Sequence, residues 1–318
     1  MNKVVLRIMF LFLALMGQAG IGVAQDAILS QFFSSPVYMN PAFAGTDRGF
    51  RAVMNYRNHP LPDVTNFSTI STSLDVPVPA LYGGLGLLVT SDYQGNLAWK
   101  NHIDAMYATH LRLTREWYLN FGVQAGYFRR DIRWDQLDFA DPNQPPPEQN
   151  FVHAPNFGAG FVLFNDWIYG GIATHHMTEP NESLFSDDKL RRKHTAHLGL
   201  YLAPSPVRRA NTLMVDFFVS PNIIFQNQGN SNRINYGFYA GVENLVAGVW
   251  YRQNLNEPSA LIFLVGLSRE NLHFGYSYDY SLSGFTDARH GIHEISISYV
   301  FMTQKQLQRE RRMQYPRY

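Results

Sequence analysis

Hydrophobic and polar positions alternate along most of the chain. In residues 272–282, Leu272, Phe274, Tyr276, Tyr278, Tyr280 and Leu282 share one parity, while His273, Gly275, Ser277, Asp279 and Ser281 share the other. A strand sends successive side chains to opposite faces, so this pattern predicts a β-strand with one apolar and one polar face. The same period recurs in fourteen runs of about ten residues, each stopped by turn residues, from "FRAVMNYRN" at 50–58 to "IHEISISYVF" at 292–301. In the fifth run Trp117, Leu119, Phe121, Val123, Ala125 and Tyr127 oppose Asn120, Gly122, Gln124 and Gly126. In the last, Ile295, Ile297, Tyr299 and Phe301 oppose Glu294, Ser296 and Ser298.

Two environments tolerate such strands: the core of a soluble sandwich, or lipid outside a barrel with a wet lumen. The connections separate them. The second, fourth, sixth, tenth and twelfth are "PVPA", "TRE", "ND", "EN" and "REN", and only the eighth, "PSPVRRAN", is longer. The odd connections include "DIRWDQLDFADPNQPPPEQNFVH", "TEPNESLFSDDKLRRK", "QNQGNSN", "QNLNEPS" and "SGFTDARH". A sandwich has no reason to sort loop length by parity, whereas outer-membrane barrels pair short periplasmic turns with longer outer loops. The expected fold is therefore all-β: a transmembrane antiparallel β-barrel of about 14 strands over residues 50–301. Trp117 and Trp167 beside tight turns, and Trp99, Trp134 and Trp250 toward the opposite strand ends, are expected to form two interfacial belts.

Composition changes this little. With 26 basic and 25 acidic residues the charge is balanced, which argues against a nucleic-acid partner. The absence of Cys removes disulfides, thiolate metal sites and a lipid-modified N-terminal Cys. Lys3 and Arg7, the apolar run Ile8–Met16, and Gly22 and Ala24 at positions −3 and −1 read as an export signal over residues 1–24, with Ala19 as a second cleavage point. The run falls short of the roughly 20 residues a spanning helix needs, so a membrane anchor is the weaker reading.

Residues 25–49 hold "PVYMNPAFAG", rich in Pro, Asn and Gly with apolar anchors, which predicts a compact turned segment. It is expected as a plug-like element at the periplasmic mouth or lower lumen, the alternative being a plain leader into the first strand. Residues 302–318 form a basic tail carrying Arg309, Arg311 and Arg312, expected in the periplasm, where it either docks on an acidic partner or stays solvated.

The pieces "SQFF", "NPAFAG", "YRNHP", "YGGLGLLVTSDYQG", "NFGVQAGY", "YSYDYSLS" and "HEISISYVF", in this order, resemble the PorP/SprF family of type IX secretion system outer-membrane proteins from Bacteroidetes. The resemblance runs from about residue 26 to 301. It implies an outer-membrane barrel that works with the secretion and gliding-motility machinery; by strand count both termini are expected in the periplasm, and with no nucleophile elbow, phosphate loop or zinc-protease motif the chain is expected to be non-enzymatic. It also implies two sets of partners: surface cargo proteins carrying a C-terminal sorting domain, and periplasmic or outer-membrane components of the system. Candidate partner-binding residues are Phe32, Phe33, Tyr38, Asn40, Pro41 and Phe43 in the N-terminal segment and Arg309, Arg311 and Arg312 in the tail.

Other chemistry is thin. In "HTAH" (His194, His197) and "HGIHE" (His290, His293, Glu294) a spacing of three sends paired rings to opposite faces, and His175 and His176 are expected to diverge as well. No metal or cofactor is expected. Asp104, Asp216, Glu243, Asp279 and Glu294 are expected to point inward beside Arg129, Arg233 and Arg252, because charge is costly against lipid. Such a lumen leaves a channel or transporter for small, including hydrophobic, solutes as the alternative function. A barrel hydrolase would need Ser and His in hydrogen-bond reach on one face.

Overall fold

The computed structural model describes residues 26–60, 67–134, 149–184, 188–203, 217–254, 259–282 and 291–302. Fourteen strands form the sheet: β1 (Phe50–His59), β2 (Phe67–Val78), β3 (Gly83–Gln94), β4 (Ala98–Arg112), β5 (Tyr118–Ile132), β6 (Phe151–Phe164) and β7 (Ile168–His175), then β8 (Lys193–Leu200), β9 (Phe217–Gln228), β10 (Ser231–Val242), β11 (Leu245–Asn254), β12 (Ala260–Arg269), β13 (Leu272–Ser281) and β14 (Ile292–Phe301). Each pairs antiparallel with its sequence neighbours, and β1 pairs with β14, so the barrel closes and no edge is left to aggregate. No helix among the described residues is long and apolar enough to cross a membrane.

The parity predicted for residues 272–282 faces outward: Leu272, Phe274 and Tyr280 are exposed, while Gly275, Ser277 and Asp279 are buried. The same holds around the wall, where Ile103, Phe121, Val123, Phe161, Phe238, Phe263, Val265 and Ile297 all stand exposed. An apolar outer surface of this extent is unfavourable in water and favourable in hydrocarbon.

Connection lengths sort less cleanly than expected. The segment "QNQGNSN" is mostly strand, because β9 runs to Gln228 and β10 begins at Ser231, leaving a two-residue turn at 229–230. The third connection, residues 95–97, is also tight. The connections after β5, β7 and β13 remain long, so one mouth still carries all the extended connections except the eighth. At the other mouth the Glu243-Asn244 and Glu270-Asn271 turns put Glu243 and Glu270 at φ 54° and 53°, the left-handed backbone a two-residue hairpin needs to match strand twist.

Trp250 leaves the expected belt. It is inward and fully buried, with its ring centroid 4.8 Å from that of Phe32. Arg252, two residues on, is inward too, so parity already ties the ring to the lumen face.

Candidate functional site: a plugged lumen

The lumen is filled by the chain's own N-terminal segment. Asp26, its first described residue, lies among Lys100, His176 and Lys193 at the long-connection ends of β4, β7 and β8, and the segment leaves at the short-connection mouth to enter β1. Residues 26–49 thus run through the barrel rather than standing at one mouth.

Three layers hold it. Nearest the long connections is a charged layer. Asp26 meets His176 Nε2 at 2.5 Å, Lys100 Nζ at 3.4 Å and Lys193 Nζ at 3.7 Å, and Lys100 also meets Glu182 at 2.9 Å. Lys100 and Lys193 thus flank the Asp26 carboxylate where water is largely excluded. Next, Ser30 joins four buried charges. Its hydroxyl donates to Asp279 (2.6 Å) and accepts from Arg57 (2.6 Å) and Arg252 (2.8 Å), while its backbone N–H donates to Glu294 (2.7 Å). Arg57 bridges Asp279 and Glu294 at 3.0 Å each, and Gln31 donates its backbone N–H to Glu294. A buried charge left alone is strongly unfavourable, so wall and segment complete each other.

Below lies an apolar layer where Phe32, Phe33, Val37 and Phe43 pack against inward Tyr169, Ile224, Tyr239 and Trp250. The "NPAFAG" stretch then meets the wall backbone to backbone. Pro36–Met39 makes one helical turn and Pro41–Phe43 a 3-10 turn, capped by the Asn40 side chain, which accepts from the Ala42 N–H (3.0 Å). The Asn40 amide also donates to the Phe161 and Ile172 carbonyls of β6 and β7. A Cβ at Gly122 would lie 2.3 Å from the Ala42 nitrogen, so only glycine admits this approach. Gly45, at φ 68°, donates to Asp75, which also takes the Arg51 guanidinium at 2.7 and 3.0 Å.

The candidate residues of the N-terminal segment therefore come together inside the barrel. Phe32, Phe33, Asn40, Pro41 and Phe43 are buried there, and Tyr38 is half-buried, its hydroxyl donating to the Ala27 carbonyl and its ring under Lys193 Nζ at 4.6 Å. In this state they face the wall, not a partner. Arg309, Arg311 and Arg312 lie outside the described residues.

Of the charges expected inward, Asp104, Asp279, Glu294, Arg233 and Arg252 are buried there. Two are not. Glu243 is exposed in a tight turn, and Arg129 lies on the outer face near the long-connection mouth, paired with Asp131 at 2.6 Å and stacked on Phe151. Asp216 lies outside the described residues. Arg51, Arg57, Asp75, Lys100 and Lys193 also point inward. Their signal was parity: Arg51 and Arg57 alternate with exposed Met54 and Tyr56 on β1.

His194 and His197 do face opposite ways, as do His293 and Glu294, while His290 lies outside the described residues. His175 and His176 do not diverge. β7 ends at His175, and His176 takes a left-handed backbone (φ 57°) that turns its ring back inside, so both are buried. Among the described residues no group of three or more His, Asp or Glu is placed to hold a metal ion. Among the described residues, Ser268 and His273 make a Ser–His contact at 2.9 Å across β12 and β13. It lies at the short-connection mouth, whereas a small cleft opens in the other half of the lumen, around Asp26, Tyr38, Thr90 and His176.

A family profile described as "Type IX secretion system membrane protein PorP/SprF" matches residues 21–299. The chain belongs to that family. The plugged barrel is thus a PorP/SprF barrel, in a family of membrane proteins of the type IX secretion system. No curated protein is matched. Among solved structures, the Ralstonia pickettii toluene transporter TbuX is similar at 10% identity over 85% of this chain and 94% of that one, with a TM-score of 0.47. The TodX deltaS2S3 mutant monoaromatic hydrocarbon channel is similar at 13% identity over 83% and 94%, with a TM-score of 0.46. A Rhodopseudomonas blastica porin triple mutant gives 7% over 80% and 99%, with a TM-score of 0.34. At such identities and scores these likenesses carry no functional argument.

Proposed function

We propose that this PorP/SprF barrel is a non-enzymatic outer-membrane partner of the type IX machinery that helps export, and above all anchor, surface cargo proteins bearing a C-terminal sorting domain. The observation that supports anchoring over conduction is the lumen filled by residues 26–49 and closed by buried charge pairs. A solute channel needs a continuous wet path, and this lumen is apolar and packed in its lower half.

The orientation follows from loop length, with the short connections in the periplasm and the long ones outside. The outer connections at 131–152 and 178–192 then meet cargo, while the tail with Arg309, Arg311 and Arg312 meets acidic periplasmic components. Phe32, Phe33, Tyr38, Asn40, Pro41 and Phe43 serve a partner only if the segment is drawn out of the lumen; seated, they hold the barrel rigid.

The test is recovery of the protein from native outer membranes in mild detergent through a tag in an outer loop, followed by mass spectrometry. Co-recovery of a large surface protein with a C-terminal sorting domain, together with periplasmic components of the system, is expected. Recovery of the barrel alone after cross-linking would sink the proposal.

A further inference from the structure

The connection between β7 and β8 is long, yet part of it is buried. Pro180, Glu182 and Leu190 are shielded from solvent, Glu182 and Leu190 being 1% and 0% exposed. Its two arms pair as a short hairpin. The Glu182 N–H donates to the Asp188 carbonyl at 2.9 Å, the Leu190 N–H donates to the Pro180 carbonyl at 2.8 Å, and Asn181 bridges Lys189. Long connections ordinarily run over the surface and open at little cost. This one carries a glutamate into the charged layer of the lumen, where it meets Lys100 Nζ at 2.9 Å.

Three points of the connection converge on one residue of the plug. His176, which opens it, and Lys193, which closes it as the first residue of β8, both meet the Asp26 carboxylate, and Glu182 reaches Asp26 through Lys100. Lys100, Glu182 and His176 are buried, so the charges in this set are screened little by water or salt. The wall adds further contacts: Asn156 to the His176 ring, the Gln228 amide to the Arg191 carbonyl and, at 3.4 Å, Arg130 to the Glu182 carbonyl. Lysine–carboxylate contacts are of the stronger, charge-assisted class, so the Asp26–Lys100–Glu182 chain carries more of the restraint than these do.

We propose that the seated plug fixes the shape of this outer connection. Asp26 and Lys100 are positioning residues that hold residues 176–184 and 188–193 in one arrangement, with Asn181, Asp188, Lys189, Arg191 and Arg192 exposed on it. Loss of the Asp26 charge removes the tie at both ends and leaves Lys100 and Glu182 as a wetter, weaker pair. A connection fixed in advance costs less ordering when a partner binds. Its service to cargo rests on the function proposed above, whereas its dependence on the plug does not.

Hydrogen–deuterium exchange of the processed protein in detergent, read by mass spectrometry on peptides across 179–192, tests this. Asp26→Asn keeps the shape of the plug residue and is expected to speed exchange of the Glu182 and Leu190 amides about tenfold or more, while the β7 and β8 amides keep their protection. Glu182→Gln cuts the link from the connection's side and is expected to do the same. An effect of Glu182→Gln with none of Asp26→Asn overturns the proposal, because the plug would then have no part in the restraint. In the unaltered protein the two amides are expected to exchange at least about a hundredfold slower than in a free chain, and exchange at the free-chain rate overturns the proposal even where the variants fold poorly. Loosening in Asp26→Asn with no cargo recovered from native membranes would sink the functional reading and leave this inference standing.

Discussion

Gly122 carries a demand that hydropathy does not reveal. On β5 it is one of two inward glycines, with Gly126, yet the Ala42 backbone rests where its side chain would be. Gly122→Leu therefore overpacks the contact by about 1–3 kcal/mol, enough to loosen the segment without opening a fourteen-stranded ladder. Chymotrypsin is expected to cut the variant at Phe32, Phe33 or Phe43 about tenfold faster than the parent while the barrel still migrates as folded. Equal resistance would show that the segment is not seated on β5. The inward charges were legible by parity wherever they alternate with exposed apolar residues, as Arg57 does with Tyr56. Arg129 was misread because it is near a strand end, where an outward arginine reaches polar surroundings and finds Asp131. His176 was misread because parity holds only while the strand lasts, and the left-handed residue past β7 resets it.

The N-terminal segment is the element on which the behaviour of the lumen turns. Without it the apolar side chains Tyr169, Ile224, Tyr239 and Trp250 would face a cavity, and Arg57, Asp279 and Glu294 would keep each other but lose Ser30 and Gln31. A barrel of fourteen strands is too wide for its own side chains to fill, so water would enter. Deletion of residues 26–47 is expected to convert a silent protein into one that conducts ions in planar bilayers. A silent deletion variant that still folds would show that other parts of the chain close the lumen. The composition of "PVYMNPAFAG" announced a turned, anchored element, but its depth was not legible, since nothing local says which wall glycines will receive it.

At the scale of the whole molecule, wall and plug form one object with a lipid face, a packed interior and a charged layer near the long connections. Ser35 and Ser73, on segment and wall, lie with hydroxyl oxygens 3.1 Å apart, and the chain has no native Cys. Ser35→Cys with Ser73→Cys is expected to form a disulfide under oxidising conditions and to leave cargo display at the cell surface unchanged, measured by surface labelling with and without reductant. Display lost on oxidation and restored by reductant would show that the plug must move during function. Fold class, strand number and the face turned to lipid were determined by the sequence alone, because a period of two and the sorting of connections are local properties that only a barrel in a membrane reconciles. The threading of residues 26–49 through the lumen, the inward place of Trp250, and the meeting of Asp26 with Lys100, His176 and Lys193 were decided only by the tertiary structure. Those contacts join residues far apart in the chain, and their partners are set by closure of the barrel, which brings inward faces together that no strand can specify by itself.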